Sequence, residues 1–510
     1  MRVRRKCTKT EKTLQDPGIS QNQSNGSTLN SGTVKEILQV NSDVAVRNLF
    51  AYGNEKYPVT MVFVDGLANI TLIDESILKP ITRRNMPDGD PDIHKIFEDI
   101  EHGTFHHVIQ KTRENLSDCI QDILDGSVAL IFDQVEKAIT FDVKEYEKRS
   151  ITEPTGENVI KGAKDSFIEN LRTNTATVRR KVRNSNLVIE ETQIGRQTIT
   201  RIAVVYLKDI ANRHTIEKIR KRINSISTDG VLTSGVIEEN IIDRKYSPFP
   251  QVVYTERPDK FCANIVEGRI GIIVDGFPLS FILPVTLESF VQAPEDYSQN
   301  FIVSSVIRFM RFLLILVTLL LPGLYVSITT FHHEMIPTEL ALVITSSKQG
   351  VPFPSFVEVI FMLIAFEVLV EAGLRLPKTI GQAVSIVGAV VVGEAAVQAR
   401  LVSPTVVVTI ATTAIASFTM PNQDFSNALR LWRFIFVVLS SMAGLFGLSL
   451  GGILLLDHLS SMEVYGISYL SPLAGEDEIQ LQDSIFRFPY RFQKNRPVSL
   501  RAKNKKRVNQ

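Results

Sequence analysis

Acidic side chains set inside long apolar runs are the residues of this chain whose types and spacing offer chemistry. The stretch from Val357 to Leu374 carries Glu367 and Glu371 one helical turn apart on one face, with Arg375 and Lys378 just beyond it. Carboxylates are costly in hydrocarbon, so both must face protein or water. Arg375 stands one turn from Glu371 and suits it as an ion-pair partner, whereas Glu367 has no such neighbour. The next apolar stretch, Thr379 to Ala399, places Gln382, Ile386, Val390, Glu394 and Gln398 four residues apart. That stripe is polar at both ends and aliphatic in its middle. It is the layout of a pore helix with a hydrophobic constriction and an acidic ring, provided that several copies surround an axis. The plainer reading pairs Glu394 with a charge near the membrane interface. On the adjoining face Gly381, Ser385, Ala389 and Gly393 form a seam of small side chains that lets helix backbones approach closely. Thr405, Thr409, Thr413 and Ser417 recur once per turn in the following stretch; packing with back-bonded hydroxyls is their favoured explanation, and pore lining is the alternative.

Other chemistry finds no support. Gly447-Leu448-Ser449-Leu450-Gly451 matches a nucleophile elbow, but it lies inside an apolar helix with no strand before it, so it reads as small-residue packing. His102, His106 and His107 have helical spacing without the acidic companion a zinc site needs. No Walker A or G-x-G-x-x-G sequence occurs. No catalytic residue, metal site or cofactor is expected, and the chain does not read as an enzyme.

The elements that hold these residues fall into two unlike parts. Residues 1–300 are charged throughout, whereas about 301–457 hold long apolar runs; the 44% hydrophobic content and mean hydropathy of +0.08 average the two. The expected fold class is α+β, a soluble amino-terminal region of two related α/β subdomains, followed by an all-α polytopic transmembrane domain. The expected boundaries are a disordered polar tail over 1–32, subdomains over 33–150 and 151–295, a membrane domain over 301–460 and a basic tail over 461–510. Net charge near +1 argues against nucleic acid, and Cys7, Cys119 and Cys262 are too few and too scattered for a disulfide framework. No apolar segment follows the basic amino terminus, which predicts a cytoplasmic soluble region. The run Arg172, Arg179, Arg180, Lys181, Arg183 reads as a solvated helix face or a contact for anionic lipid.

Two patterns recur in the soluble half at nearly one spacing. Val62-Phe63-Val64-Asp65-Gly66-Leu67 is matched by Val205-Tyr206-Leu207-Lys208-Asp209-Ile210. Further on, the helix-stop glycines Gly126 and Gly268 each precede a β-rich run. Upstream, Leu38-x-x-Asn41 and Leu171-x-x-Asn174 each read as opening a helix. In the membrane half the expected spans are Phe312 to Ile328, Val357 to Leu374, Thr379 to Ala399, Thr405 to Met420 and Ile435 to Leu456. The segment Pro337 to Pro354 reads as interfacial or re-entrant. Five spans would leave the basic tail opposite the amino terminus, which the positive-inside rule disfavours, so four, five and six spans all stay open.

Several longer segments carry a family resemblance. Tyr246-Ser247-Pro248-Phe249-Pro250-Gln251, Thr255-Glu256-Arg257-Pro258-Asp259-Lys260, Pro294-Glu295-Asp296-Tyr297, Glu371-Ala372-Gly373-Leu374-Arg375-Leu376-Pro377 and Tyr469-Leu470-Ser471-Pro472 resemble those of GerA-type spore germinant receptor A subunits. The resemblance covers about residues 35–475. It implies a multi-pass protein of the spore inner membrane, a subunit acting with a transporter-like B subunit and a lipoprotein C subunit. It further implies self-association, as a pentamer, into a nutrient-gated ion channel that releases cations to trigger germination. This family usually has Gln at the position of Glu394. The alternatives are a non-conducting receptor or scaffold subunit whose soluble domain binds ligand, and a related paralogue acting with the dipicolinate-release channel.

Overall fold

Period-two apolar runs punctuated by glycine build two five-stranded antiparallel sheets in the soluble half. The computed structural model describes residues 28–83, 92–102, 109–144, 154, 156–157, 159–375, 377, 393–474 and 483–507. The first sheet comprises β1 (Val44–Phe50), β2 (Pro58–Val64), β3 (Gln110–Arg113), β4 (Val128–Phe132) and β5 (Lys137–Phe141), in the order β1-β2-β4-β5-β3. The second has β6 (Leu187–Ile194), β7 (Thr200–Leu207), β8 (Val253–Thr255), β9 (Ile270–Val274) and β10 (Ser280–Leu283), in the order β6-β7-β9-β10-β8. Strand for strand, the two orders are the same.

The register repeats as well. Val62 pairs with Ala129 between β2 and β4, and Val205 pairs with Gly271 between β7 and β9. Each partner lies three residues after its helix-stop glycine. Gly126 (φ +94°) and Gly268 (φ +104°) adopt the left-handed conformation that a side chain disfavours. A Cβ there would meet Leu67 Cβ at 3.2 Å in the first copy and Ile210 Cγ2 at 3.1 Å in the second. Leu67 and Ile210 hold equivalent places, so backbone conformation, contact and register all coincide.

Central strands are buried on both faces, which is why Val128–Phe132 reads as a continuous apolar run. Val128, Leu130 and Phe132 point into one core and Ala129 and Ile131 into the other. The helices before the central strands are α2 (Leu116–Leu124) and α4 (Pro258–Glu267). Leu171 opens α3 (Leu171–Lys181), but Leu38 closes α1 (Ser31–Leu38). The expected Leu38 helix start is therefore displaced: Asn30 accepts from Gly32 N–H and begins that helix earlier.

The basic run also differs from its expectation at one residue. Arg179, 1% exposed, is a bidentate clamp between the subdomains, with Nε–Oδ2 of 2.6 Å and Nη2–Oδ1 of 2.8 Å to Asp43. Its Nη2 also donates to Asn41 Oδ1 at 2.9 Å. Position on an apparently basic helix face says nothing of a carboxylate 136 residues away in sequence.

From residue 301 to 460 the described chain holds helices and turns, with no strand. These are α5 (Phe301–Thr330), α6 (Thr338–Ser347), α7 (Ser355–Arg375), α8 (Pro404–Phe418) and α9 (Gln423–Ser460). Among the described residues, α5 and α9 are long and apolar enough to cross a membrane. The expected single span from Ile435 to Leu456 is corrected by the backbone of α9, which leaves the helix at Ala443 (φ −137°, ψ 17°) and Gly444 (φ 58°, ψ −137°). The limbs then fold against each other. A Cβ on Gly447 would lie 1.9 Å from Leu439 O, and one on Gly451 3.0 Å from Phe436 Cδ1. An unbroken apolar run hides this reversal, because hydropathy is the same on either side of the turn.

Two ends of the helical region can now be distinguished. The hairpin tip lies beside Phe331 and His332, and Leu445 N–H meets His332 Nε2 at 3.3 Å. This far end also holds the start of α7, where Ser355 Oγ accepts from Thr329 at 3.2 Å, and the start of α8, where Ser403 N–H donates to Glu358 Oε2 at 2.7 Å. Helix α6 lies there too and has no buried residue. The near end packs on the second subdomain: Phe425, Leu429, Trp432, Leu455 and Leu459 share one core with Phe249 and Phe290. The carboxy-terminal segment returns to the soluble half as well. Lys503 N–H donates to Ile210 O at 2.9 Å, and Arg507 pairs with Glu267 at 2.9 Å. The tail therefore packs against the second subdomain.

Candidate functional site

Between the end of β10 at Leu283 and the start of α5 at Phe301 the chain must change from sheet to apolar helix, and charged side chains fix that change of direction. Asp296 sits at the bend, 2% exposed, with Arg308 Nε at 3.0 Å and Arg311 Nη1 at 2.7 Å from its Oδ2. Its carboxylate also receives Ala293 N–H at 3.1 Å. Arg308 reaches Asp483 at 2.9 Å, and Arg487 donates to the carbonyls of Asp296 and Gln299 at 2.6 and 2.9 Å. Arg308 and Arg311, the two arginines just before the apolar stretch that opens at Phe312, are thus tied inward, and the first helix starts at Phe301, eleven residues before that stretch. Breaking one member of a buried, hydrogen-bonded charge set costs about 3–5 kcal/mol, so this bend is held firmly.

An aromatic contact continues the junction. Phe290 stacks on Phe425 with ring centroids 5.9 Å apart and planes at 8°, and Phe249 lies 6.0 Å from Phe425 and 6.4 Å from Trp432. Ser247 Oγ meets His458 Nε2 at 2.9 Å, and Tyr469 O–H donates to Pro250 O at 3.0 Å. Two of the segments carrying the resemblance, those around Phe249 and Tyr469, thus converge where the soluble half meets both limbs of α9, and a third, around Asp296, fixes the bend before α5. Glu288 lies at this junction, half-buried, and burial pushes its carboxyl up to about 8, against a partial offset from Arg269.

Within the helices, Glu367 finds the partners its own segment lacks. Arg433 Nη2 is 2.6 Å from Oε1 and Arg430 Nη1 is 3.6 Å from Oε2, both from the first limb of α9. Glu371 pairs with Arg375 at 2.6 Å, as its spacing suggests, and both are exposed. Glu358, 1% exposed, was not singled out from sequence; it caps the amino end of α8 through Ser403 N–H, where the helix dipole favours an anion. Its position nine residues before Glu367 in an apolar helix was the available signal.

The stripe that the spacing suggests as pore-lining is described only at its carboxy-terminal end. Gln382, Ile386 and Val390, and the seam residues Gly381, Ser385 and Ala389, lie outside the described residues. Residues 393–398 are helical, and a Cβ on Gly393 would sit 3.7 Å from Val407 Cγ1 on α8. Glu394 and Gln398 are both exposed, with Gln398 Nε2 donating to Glu394 Oε1 at 3.0 Å. The hydroxyl stripe of α8 is turned to packing: Thr409 and Thr413 each donate to the carbonyl one turn back at 2.8 Å, and Thr405 Oγ1 lies 2.9 Å from Tyr325 O–H. Gly447 and Gly451 of the elbow-like sequence are the close contacts of the hairpin. Among the described residues no cluster of metal-ligating side chains occurs; His106 and His107 lie outside them. Cys119 and Cys262 are buried thiols pushed up to about 12 by burial, which makes them poor nucleophiles.

Comparison with known proteins decides the family. The Bacillus/Clostridium GerA spore germination protein family matches residues 32–499. The chain belongs to the GerA family. Spore germination protein B1 of Bacillus subtilis is 36% identical over 471 residues, which is 92% of this chain and 96% of that protein. Spore germination protein KA of the same organism is 37% identical over 94% of this chain and 87% of its own length. The amino-terminal domain of the A subunit of the Bacillus megaterium spore germinant receptor GerK3 is similar at 28% identity and a TM-score of 0.39, over 50% of this chain and 96% of that one. The relatives are spore germination proteins, and an uncharacterized membrane protein of B. subtilis, YfkQ, is 37% identical over 89% of this chain.

Proposed function

We propose that this GerA-family chain is the A subunit of a nutrient germinant receptor in the spore inner membrane, and that copies of it enclose a nutrient-gated cation path. It acts with a transporter-like B subunit and a lipoprotein C subunit, and with membrane lipid around it. Five copies place Gln382, Ile386, Val390, Glu394 and Gln398 around the axis, with the Gly381, Ser385, Ala389 and Gly393 seam against a neighbouring helix. The carrying observation is the far end of that helix: Gly393 faces Val407 of the same chain while Glu394 and Gln398 are left uncovered. A polar pair at membrane depth is costly unless water or another subunit meets it. On this reading six helical passes leave both the soluble half and the basic tail in the cytoplasm. Nutrient binding in the partner biases a bistable oligomer, and the collar at Ile386 and Val390 widens and wets.

The junction supports the same reading, because the soluble half and both limbs of α9 share one core, so a rotation of one is felt by the other. The test is cation flux through proteoliposomes holding the purified A, B and C subunits. Nutrient-dependent flux that falls when Glu394→Lys places a positive ring in the path supports the channel. Flux that ignores Glu394→Lys, or its absence with nutrient bound, supports a non-conducting scaffold.

A further inference from the structure

The second subdomain, the bend before α5 and the carboxy-terminal segment together line a half-open cavity of about 520 Å³ that the channel reading does not use. Among the described residues its lining has five basic side chains, Arg269, Arg496 and Arg507 among them, against the acidic Asp259 and Glu267. Local ion pairs account for most of these: Asp259 pairs with Arg257 at 2.7 Å, Glu267 with Arg507 at 2.9 Å, and the lysines Lys181 and Lys260 with Asp165 and Glu157 at 2.9 and 2.6 Å. Two guanidiniums remain. Arg496 donates to the carbonyls of Val266 and Asn504 at 3.1 and 3.0 Å, and Arg269 Nη1 donates to Ser289 Oγ at 2.8 Å. Among the described residues neither has a carboxylate within ion-pair distance.

Arg269 is the informative one. It is 5% exposed, it lines the cavity, and its Nε is buried with no hydrogen-bond partner among the described residues. A buried guanidinium left without a carboxylate partner is costly, and an anion in the cavity it lines would compensate its charge. Burial pushes the nearby Glu288 carboxyl up to about 8, which weakens its capacity to offset the Arg269 charge.

We infer that this cavity is a binding site for a small anion of the phosphate or carboxylate type, held by Arg269 and Arg496. An occupied site would join the tail to the bend and to α4, stiffening the path from the soluble half into the first membrane helix. This inference goes beyond the channel reading and stands without it.

The test is thermal unfolding of the full-length chain in neutral detergent, titrated separately with inorganic phosphate and with succinate. The expected result is saturable stabilisation by one of them. Arg269→Gln should weaken that affinity about tenfold or more, as loss of a hydrogen bond to a charged group does. Ala263→Phe, at an exposed position on the cavity lining, should block the site without disturbing the core, and so carries the test should Arg269→Gln not fold. Lys505→Gln, an exposed change in the same tail, should leave affinity unchanged. Repeating the titration in phosphatidylglycerol nanodiscs separates the sources: a lost response assigns a lipid headgroup and a retained one a soluble anion. A response to neither anion, or a non-saturating rise equal in all variants, overturns the proposal.

Discussion

Replacing Glu367 by Gln tests whether charge inside the helical region is balanced as the structure shows. Its carboxylate is the sole acid within ion-pair distance of Arg433 and Arg430 among the described residues, and those side chains are 1% and 8% exposed. Unit charges about 4 Å apart attract by about 4 kcal/mol at an effective dielectric of 20, and loss of one buried partner typically costs about 3–5 kcal/mol. The Glu367 side chain is itself 28% exposed and Gln still accepts a hydrogen bond, so the lower part of that range applies: about 3 kcal/mol. Two arginines one turn apart are then left facing each other. The assay is reversible unfolding in mixed micelles with increasing denaturing detergent, read by tryptophan fluorescence, since Trp432 adjoins Arg433. Glu367→Gln/Arg433→Gln should recover about 1–2 kcal/mol relative to Glu367→Gln alone, as contacting residues couple. A single variant within about 0.5 kcal/mol of the natural protein, or a double variant no better than the single, would refute the reasoning.

Four further outcomes follow from the same contacts. Asp296→Asn strips the shared acceptor from Arg308 and Arg311 and should destabilise by about 3 kcal/mol, with new protease cleavage at the bend before α5. Gly447→Ala, whose Cβ would fall 1.9 Å from Leu439 O, should open the hairpin and lower the yield of folded protein, whereas Gly452→Ala, with nothing within 4 Å, should not. Gly126→Ala and Gly268→Ala should each cost about 1–2 kcal/mol, by like amounts in the two subdomains, measured by chemical denaturation. Glu288 holds its proton more tightly folded (about 8) than unfolded (near 4.5), so stability should fall as pH rises between those values, at up to about 1.4 kcal/mol per unit. Glu288→Gln should flatten that slope in melting curves taken from pH 4.5 to 8.5.

Features set by local sequence were legible before the structure; those set by distant partners were not. The spacing from Val62 to Gly126 and from Val205 to Gly268 records a register, because a helix-stop glycine and a central strand fix which residues pair. Glu371 with Arg375 was readable since one turn of helix places them together. Glu367 with Arg433, Arg179 with Asp43 and Arg308 with Asp296 join residues brought together only by tertiary packing, so no local spacing reveals these pairs. The hairpin was hidden for another reason: Gly444 is one of several glycines in an apolar run, and only its left-handed backbone marks it as the turn. Gly447 and Gly451 did signal close packing, but not that the partner was the same helix returning.

The conducting path itself is tested most directly by potassium efflux from liposomes holding purified oligomers of Val390→Ala beside the natural chain. The account predicts a closed natural oligomer without nutrient and a steady cation leak once the aliphatic collar is thinned. Equal tightness of the two, in oligomers of the same size, would contradict it.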